Sequence, residues 1–242
     1  MGKTAGIIII GDEILSGKVH DDNSFFMAKE LWSHGIHVCR ISIISDRTDE
    51  IAEEVRSFSQ RYDYVFTSGG IGPTHDDITI GGISGAFGVK TVIHDTLKEL
   101  LENRLGTLSP EQLKMAEVPE GAELVSDETL SFPLIKIKNV FVFPGIPQLL
   151  RKKFLAMEKL FNEPAIYLKK IYLNGAESCI APILNEIVDL YKDVKIGSYP
   201  ELDNSDYSVM VTLESSDDAV LGLAFRDLLS RIPKDKIIRV EE

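Results

Sequence analysis

Cysteine is scarce in this sequence. The 242 residues hold two, Cys39 and Cys179, far apart and in no C-x-x-C spacing. That excludes a disulfide framework and a thiolate metal cluster, and it leads us to expect two buried free thiols in a reducing compartment. Long apolar runs are missing too. The N-terminal MGKTAGIIIIGDE breaks at Gly11 and Asp12, too early for a signal peptide or for the ~20 residues of a membrane span. We therefore expect a cytoplasmic protein with no membrane partner. Positive charge is in deficit, with 26 Lys and Arg against 38 Asp and Glu, a net charge of −12. Nucleic-acid binding needs a basic footprint, so it is excluded as a general activity. Several nucleotide and hydrolase motifs are absent as well. MGKT lacks the upstream glycine and strand of a P-loop, and GGISGAFG lacks the G-x-G-x-x-G order. No G-x-S-x-G elbow occurs.

What is present is an ordinary globular composition, 44% hydrophobic, able to bury a core without staples. Most of the acidic excess lies early: residues 1–150 carry 22 Asp and Glu against 13 Lys and Arg. TAGIIIIG reads as a buried strand, NSFFMAKELWSHG as a helix with Asp22 as N-cap, and HVCRISII as a second strand. SDRTDEIAEEVRSFSQ reads as an amphipathic helix and YDYVFT as a third strand. Residues 80–116 read as mostly helical, interrupted near VKTVIH, and LIKIKNVFVFPGIP as a hairpin turning at Lys138-Asn139. After NEPA the pattern restarts as a β-α-β-β-α unit. The alternation predicts a three-layer α/β domain with a mostly parallel sheet over 1–166, and a small appended α+β domain over 167–242.

In open parallel sheets, ligands bind beyond the carboxyl ends of the strands. Four loops there carry polar chemistry: GDEILSGKVHDDN, SDRTDE, SGGIGPTHDDIT and PGIP. Gly69, Gly70 and Gly72 permit a sharp turn and close backbone approach to a ligand. Asp76 or Asp77 reads either as a helix N-cap or as a ligand-facing carboxylate; Asp12, Glu13 and Asp46 carry the same pair of readings. Five carboxylates at one sheet edge repel one another, and an oxygen-only set suits Mg²⁺ or Mn²⁺. His75 reads as solvated. The residues alone point to a metal-dependent site for a small molecule bearing phosphate or pyrophosphate.

GGIGPTHDDIT, GDEILSGKVHDDNSFF and FPGIP together resemble the molybdopterin-binding family of MogA, MoaB and the N-terminal part of CinA. AGIIIIGDEIL, SGGIGPTHDD and FPLIKIKNVFVFPGIP, with ESCIAPIL and GSYP later, resemble most nearly the molybdopterin-binding-like domain at the N-terminus of eukaryotic FAD synthase. The resemblance implies a MogA/MoaB-like fold. It implies catalytic roles for Asp46, Asp76 and Asp77, with Asp46 on the attacking water. Metal would fall to Asp12, Glu13, Asp76 and Asp77. Phosphate would lie on Ser68, Gly69, Gly70, Gly72 and Thr74, with Pro144 and Gly145 beside them. The activity implied is hydrolysis of FAD to FMN and AMP, with ADP-ribose as another substrate, using a divalent ion (Mg²⁺, Mn²⁺ or Co²⁺) and K⁺. Its alternatives are binding or adenylylation of molybdopterin, and a non-catalytic regulatory module. A homo-oligomer is expected. The sequence departs from the MogA-type GGTG with GGIG and from CinA's GTEL with GDEI. It ends at RVEE without a segment resembling the synthase domain, from which we expect cleavage rather than synthesis.

Overall fold

The computed structural model describes residues 2–161, 163–164 and 166–242. They form two compact units, Met1–Glu163 and Pro164–Glu242.

The first unit begins with β1 (Thr4–Ile10), α1 (Asp12–Leu15), α2 (Asn23–Ser33), β2 (His37–Ile44), α3 (Thr48–Arg61) and β3 (Tyr64–Ser68). It continues through α4 (Thr79–Phe87), β4 (Thr91–Ile93), α5 (Asp95–Leu105), α6 (Pro110–Lys114), β5 (Glu117–Pro119) and β6 (Glu123–Val125). It closes with β7 (Leu134–Ile137), β8 (Val140–Phe143) and α7 (Pro147–Met157). The main sheet has the order β2-β1-β3-β8-β7-β6. β2, β1, β3 and β8 are parallel, whereas β7 and β6 join antiparallel.

A parallel sheet covered on both faces needs strands that are apolar in both directions, and β1 supplies this. Ile8 and Ile10 pack with Ile51, Val55 and Phe58 of α3 and Ile83 of α4. Ile7 and Ile9 face the opposite way, to Met27 and Leu31 of α2 and Leu150 and Phe154 of α7. Three layers follow from that alternation. β2 and β3 flank β1 on opposite sides, so the chain reverses its winding direction at β1. The crevice beyond the carboxyl ends of β1 and β3 is thus the ligand position that topology favours.

The second unit contains β9 (Tyr167–Leu173), α8 (Glu177–Leu190), β10 (Lys195–Pro200), β11 (Val209–Ser215), α9 (Asp218–Arg231) and β12 (Ile237–Glu241). Its sheet order is β10-β11-β9-β12, all antiparallel. This is the ferredoxin-like split βαβ arrangement, with Leu184 and Ile187 of α8 and Leu221 and Phe225 of α9 in its core. β12 completes the motif that the sequence pattern shows only as far as α9.

Several local expectations need correction. Cys39 and Cys179 are free but exposed, not buried. Asp22 stands at the start of α2 without capping it; Asp21 Oδ1 instead accepts from the N–H groups of Asn23 and Ser24, at 3.1 and 3.0 Å. Asp46 caps no helix of its own, because Arg47 precedes α3. Asp76 and Asp77 do not cap α4, which starts behind Ile78. The hairpin turn falls at Lys138 and Asn139 as read, with Lys138 at φ 53°. Asn139 Nδ2 ties that turn to the carbonyls of Ser59 and Tyr62.

Candidate functional site

The loop after β3 is built from backbone that tolerates little else. Gly69 has φ 116° and Gly70 φ 60°, and a Cβ on Gly69 would lie 2.0 Å from the Ile10 carbonyl oxygen. Close contact with the end of β1 therefore demands glycine there. From the far side Thr79, fully buried at the start of α4, clamps the loop: its Oγ1 donates to the Gly69 carbonyl at 2.9 Å, and its N–H to that of Gly70 at 3.0 Å. Within the loop, Asp77 Oδ2 accepts from the Thr74 N–H at 2.7 Å and from the Thr74 hydroxyl. Lys114 Nζ donates to the Thr74 carbonyl at 2.6 Å.

Beside this loop lies a cavity of about 610 Å³, within the usual range for a small-molecule site of roughly 300–1,000 Å³. Glu13, Gly69, Gly70, Gly72, Asp77, Pro144 and Gly145 line it. Sequence reasoning had singled out all seven, and the fold brings them together from three loops. Ser68 and Thr74 lie outside the lining, and act on it through the loop backbone. The apolar wall comes from Leu101 of α5, Met115, Phe132 and Ile135. Four cations also line the cavity: Arg104, Lys114, Lys152 and Lys153. None of these was marked by a motif. Lys153 is the most unusual of them. Its ammonium donates to the Phe132 and Pro133 carbonyls at 2.8 and 2.6 Å, and burial pushes its pKa down to about 8.

The remaining carboxylates stand next to the cavity rather than in its wall. Asp46 Oδ2 accepts from the Asp12 N–H at 2.9 Å, and so holds the start of α1 that carries Glu13. Burial raises the pKa of Asp46 above the usual carboxylate range. The Asp12 N–H bond opposes that shift, while repulsion from Asp12, Glu13 and Asp76 adds to it. That mutual repulsion is the electrostatic sign of a place where a cation would be welcome. Among the described residues, however, no three His, Cys, Asp or Glu side chains are grouped as a preformed metal cage. The oxygen donors at this edge are of the kind that suits a Mg²⁺-like ion. Asp76 is held below the usual range, first by the Thr74 hydroxyl. His75 is almost fully exposed, 3.9 Å from Asp76.

No helix among the described residues is long and apolar enough to cross a membrane. Comparison with known proteins supplies the relatives of this arrangement. Residues 6–166 match the model of the probable molybdopterin binding domain, and residues 165–241 match that of the FAD synthase middle domain. A probable FAD synthase of Caenorhabditis elegans is 33% identical to the chain over 94% of its length and 50% of that protein's. The chain thus spans about half the length of the relatives named FAD synthase that it matches. Protein PH0439 of Pyrococcus horikoshii is 34% identical, covering 92% of this chain and 93% of that one. The solved structure of a CinA protein from Thermoplasma acidophilum, described as of unknown function, superimposes with a TM-score of 0.61. It is 31% identical and covers 66% of this chain and 99% of that one.

Proposed function

The chain belongs to the molybdopterin-binding domain family, and from that premise we propose that it hydrolyses the pyrophosphate bond of FAD, giving FMN and AMP, with ADP-ribose as a second substrate. The observation that carries this reading is the composition of the cavity beside the glycine loop. A glycine loop, three carboxylates (Glu13, Asp77 and Glu117), four cations and an apolar wall share about 610 Å³. Each part answers a feature of a dinucleotide: two linked phosphates, and flat rings at either end.

The Gly69–Gly72 backbone would lie against the phosphates, where a side chain would prevent approach. Lys114, already fixed on the Thr74 carbonyl, brings a positive charge to the same loop. Glu13 and Asp77 would hold a divalent cation (Mg²⁺, Mn²⁺ or Co²⁺). When bound, that ion supplies neutralisation of developing charge and Lewis acidity. Asp46 has one carboxylate oxygen occupied by the Asp12 N–H; its other oxygen has no partner among the described residues and is our candidate to orient and deprotonate water. Asp12 and Asp76 would add to the negative potential that draws a cation to this edge. The relatives named FAD synthase support an enzyme of flavin nucleotides. We favour cleavage because a single glycine-loop cradle suffices for one pyrophosphate, whereas joining FMN to ATP must seat two phosphate-bearing reactants.

Chromatographic analysis of FAD and ADP-ribose incubated with the chain and each divalent ion tests the reading. FMN and AMP should accumulate from FAD, and EDTA should stop the reaction until the metal is restored. Steady formation of FAD from FMN and Mg-ATP, with no cleavage of FAD, would overturn it.

A further inference from the structure

The final ladder bond between the strands leading to the two glycine loops runs from the Gly69 N–H to the Phe143 carbonyl, at 3.2 Å. Beyond that point, among the described residues, no backbone hydrogen bond joins 70–72 to 144–147. Yet the two loops touch: the position of a Cβ on Gly145 is 3.4 Å from the Gly69 Cα. A shift of one loop is therefore felt by the other, and something other than the sheet must hold their register.

Asn23, at the first position of α2, bridges them. Its Nδ2 donates to Ser68 Oγ at 3.0 Å and to the Gly145 carbonyl at 2.7 Å, which uses both amide hydrogens. Ser68 Oγ passes the link on to the Pro144 carbonyl at 3.2 Å. The orientation of the amide follows from its partners: a carbonyl oxygen only accepts, so the NH₂ group must face Gly145. Asn23 is itself fixed, since Asp21 accepts its N–H. Its Oδ1, by contrast, is buried with no protein partner. A buried acceptor without a donor opposes stability, so fold stability alone does not account for an amide here. Local rules of this kind are broken most often where a site requires it.

We propose that Asn23 is a positioning residue for phosphate recognition, locking the loop after β3 to the loop after β8 so that both present their backbones to the cavity in one register. The inference rests on the reading of this cavity as a site for a phosphate-bearing ligand. It adds a residue outside the glycine loops and the acidic cluster, one that need not touch the ligand.

Two variants separate positioning from stability. Asn23→Asp is nearly isosteric but places an oxygen against the Gly145 carbonyl. Ser68→Ala removes only the relay to Pro144. Binding of inorganic pyrophosphate with Mg²⁺, read by calorimetry, should weaken about 10- to 100-fold in Asn23→Asp, as expected when a recognition loop is misplaced by about an ångström, and less in Ser68→Ala. KM for FAD should rise in parallel, with kcat changing less. Because both changes act through one loop register, the double variant should be no worse than Asn23→Asp alone. Melting temperature should fall by no more than a few degrees in Ser68→Ala. Pyrophosphate affinity and KM within about twofold of wild type in Ser68→Ala and in any folded Asn23→Asp would overturn the inference. So would losses that simply track melting temperature. If wild type binds pyrophosphate but cleaves neither FAD nor ADP-ribose, hydrolysis is refuted while the binding measurements still decide the role of Asn23. Failure of wild type to bind pyrophosphate would overturn both.

Discussion

Gly69→Ala isolates the contact on which the site is built. The added methyl would lie 2.0 Å from the Ile10 carbonyl oxygen, and the backbone at φ 116° lies where L-residues are strained. Strain of this kind costs about 1–3 kcal/mol, and forcing a methyl into packed backbone costs about 1–3 kcal/mol more. The obstacle is backbone at the end of a central strand, so no side chain can swing aside to relieve it. The sum of about 2–6 kcal/mol corresponds to a melting temperature lower by roughly 4–24 °C for a protein of this size. Gly81→Ala is the matched control. Gly81 sits in α4 with open space where its Cβ would be, so alanine should add helix propensity of about 1 kcal/mol and raise the melting temperature by roughly 2–4 °C. Thermal unfolding by circular dichroism reads both, and pyrophosphate binding reads the loop. A Gly69→Ala variant that melts within a degree of wild type and binds pyrophosphate normally would show that the loop does not need this close approach.

Asp77→Asn keeps an oxygen to accept from Thr74 but removes the charge, so FAD cleavage should fall by about 100-fold or more while the melting temperature barely moves; a low-melting variant with normal turnover would make Asp77 structural. Asp63 gives an acid-side test. Its pKa is lowered to about 2, first by the hydrogen bond from Lys3 and then by those from Thr4. A depressed folded pKa stabilises above the unfolded value and loses that contribution as pH falls through the folded one. The melting-temperature advantage of wild type over Asp63→Asn should thus be full at pH 6, shrink below about pH 4 and disappear near pH 2; an advantage that persists at pH 2 contradicts it. Lys153 tests the alkaline side with the opposite sense. Burial lowers its pKa to about 8 from 10.5, so the penalty for keeping it charged is present below pH 8 and fades toward pH 10.5. The stability of wild type relative to Lys153→Met should rise across that window, and a flat or falling difference in denaturant titrations would refute the shift.

The layers of the first unit were legible because period and composition agree. A run such as TAGIIIIG can satisfy helices on both faces of a parallel sheet, and the β-branched stretches of β2 and β3 repeat the signal. Loop positions followed from topology, so the seven residues from the first, third and last parallel strands could be named before their meeting place was seen. Caps were less legible. The first N–H groups of α2 go to Asp21, one residue before Asp22, and Asp46 serves the Asp12 N–H instead of α3, because an Asp can serve the N–H groups of a neighbouring element as readily as those of its own helix. β12 was missed for a different reason: IIRVE is short and charged, and it belongs to a sheet only because β9 offers it an edge.

The cavity's cations show most plainly what a one-dimensional reading loses. A net charge of −12 describes the surface as a whole, whereas binding depends on the local field. Arg104, Lys114, Lys152 and Lys153 come from three helices that no motif connects, and each is an unremarkable basic residue in an amphipathic stretch. The fold assembles them around one volume together with Glu13, Asp77 and Glu117. An anion entering that volume would meet glycine backbone, cationic side chains and an apolar wall together. A generally acidic protein can in this way hold an acidic ligand. Asn23 and Thr79 complete the same argument at shorter range, since each ties loop segments together by a pair of hydrogen bonds. Such a role depends on distances of about 3 Å between segments remote in sequence, and leaves no periodicity or spacing by which to recognise it.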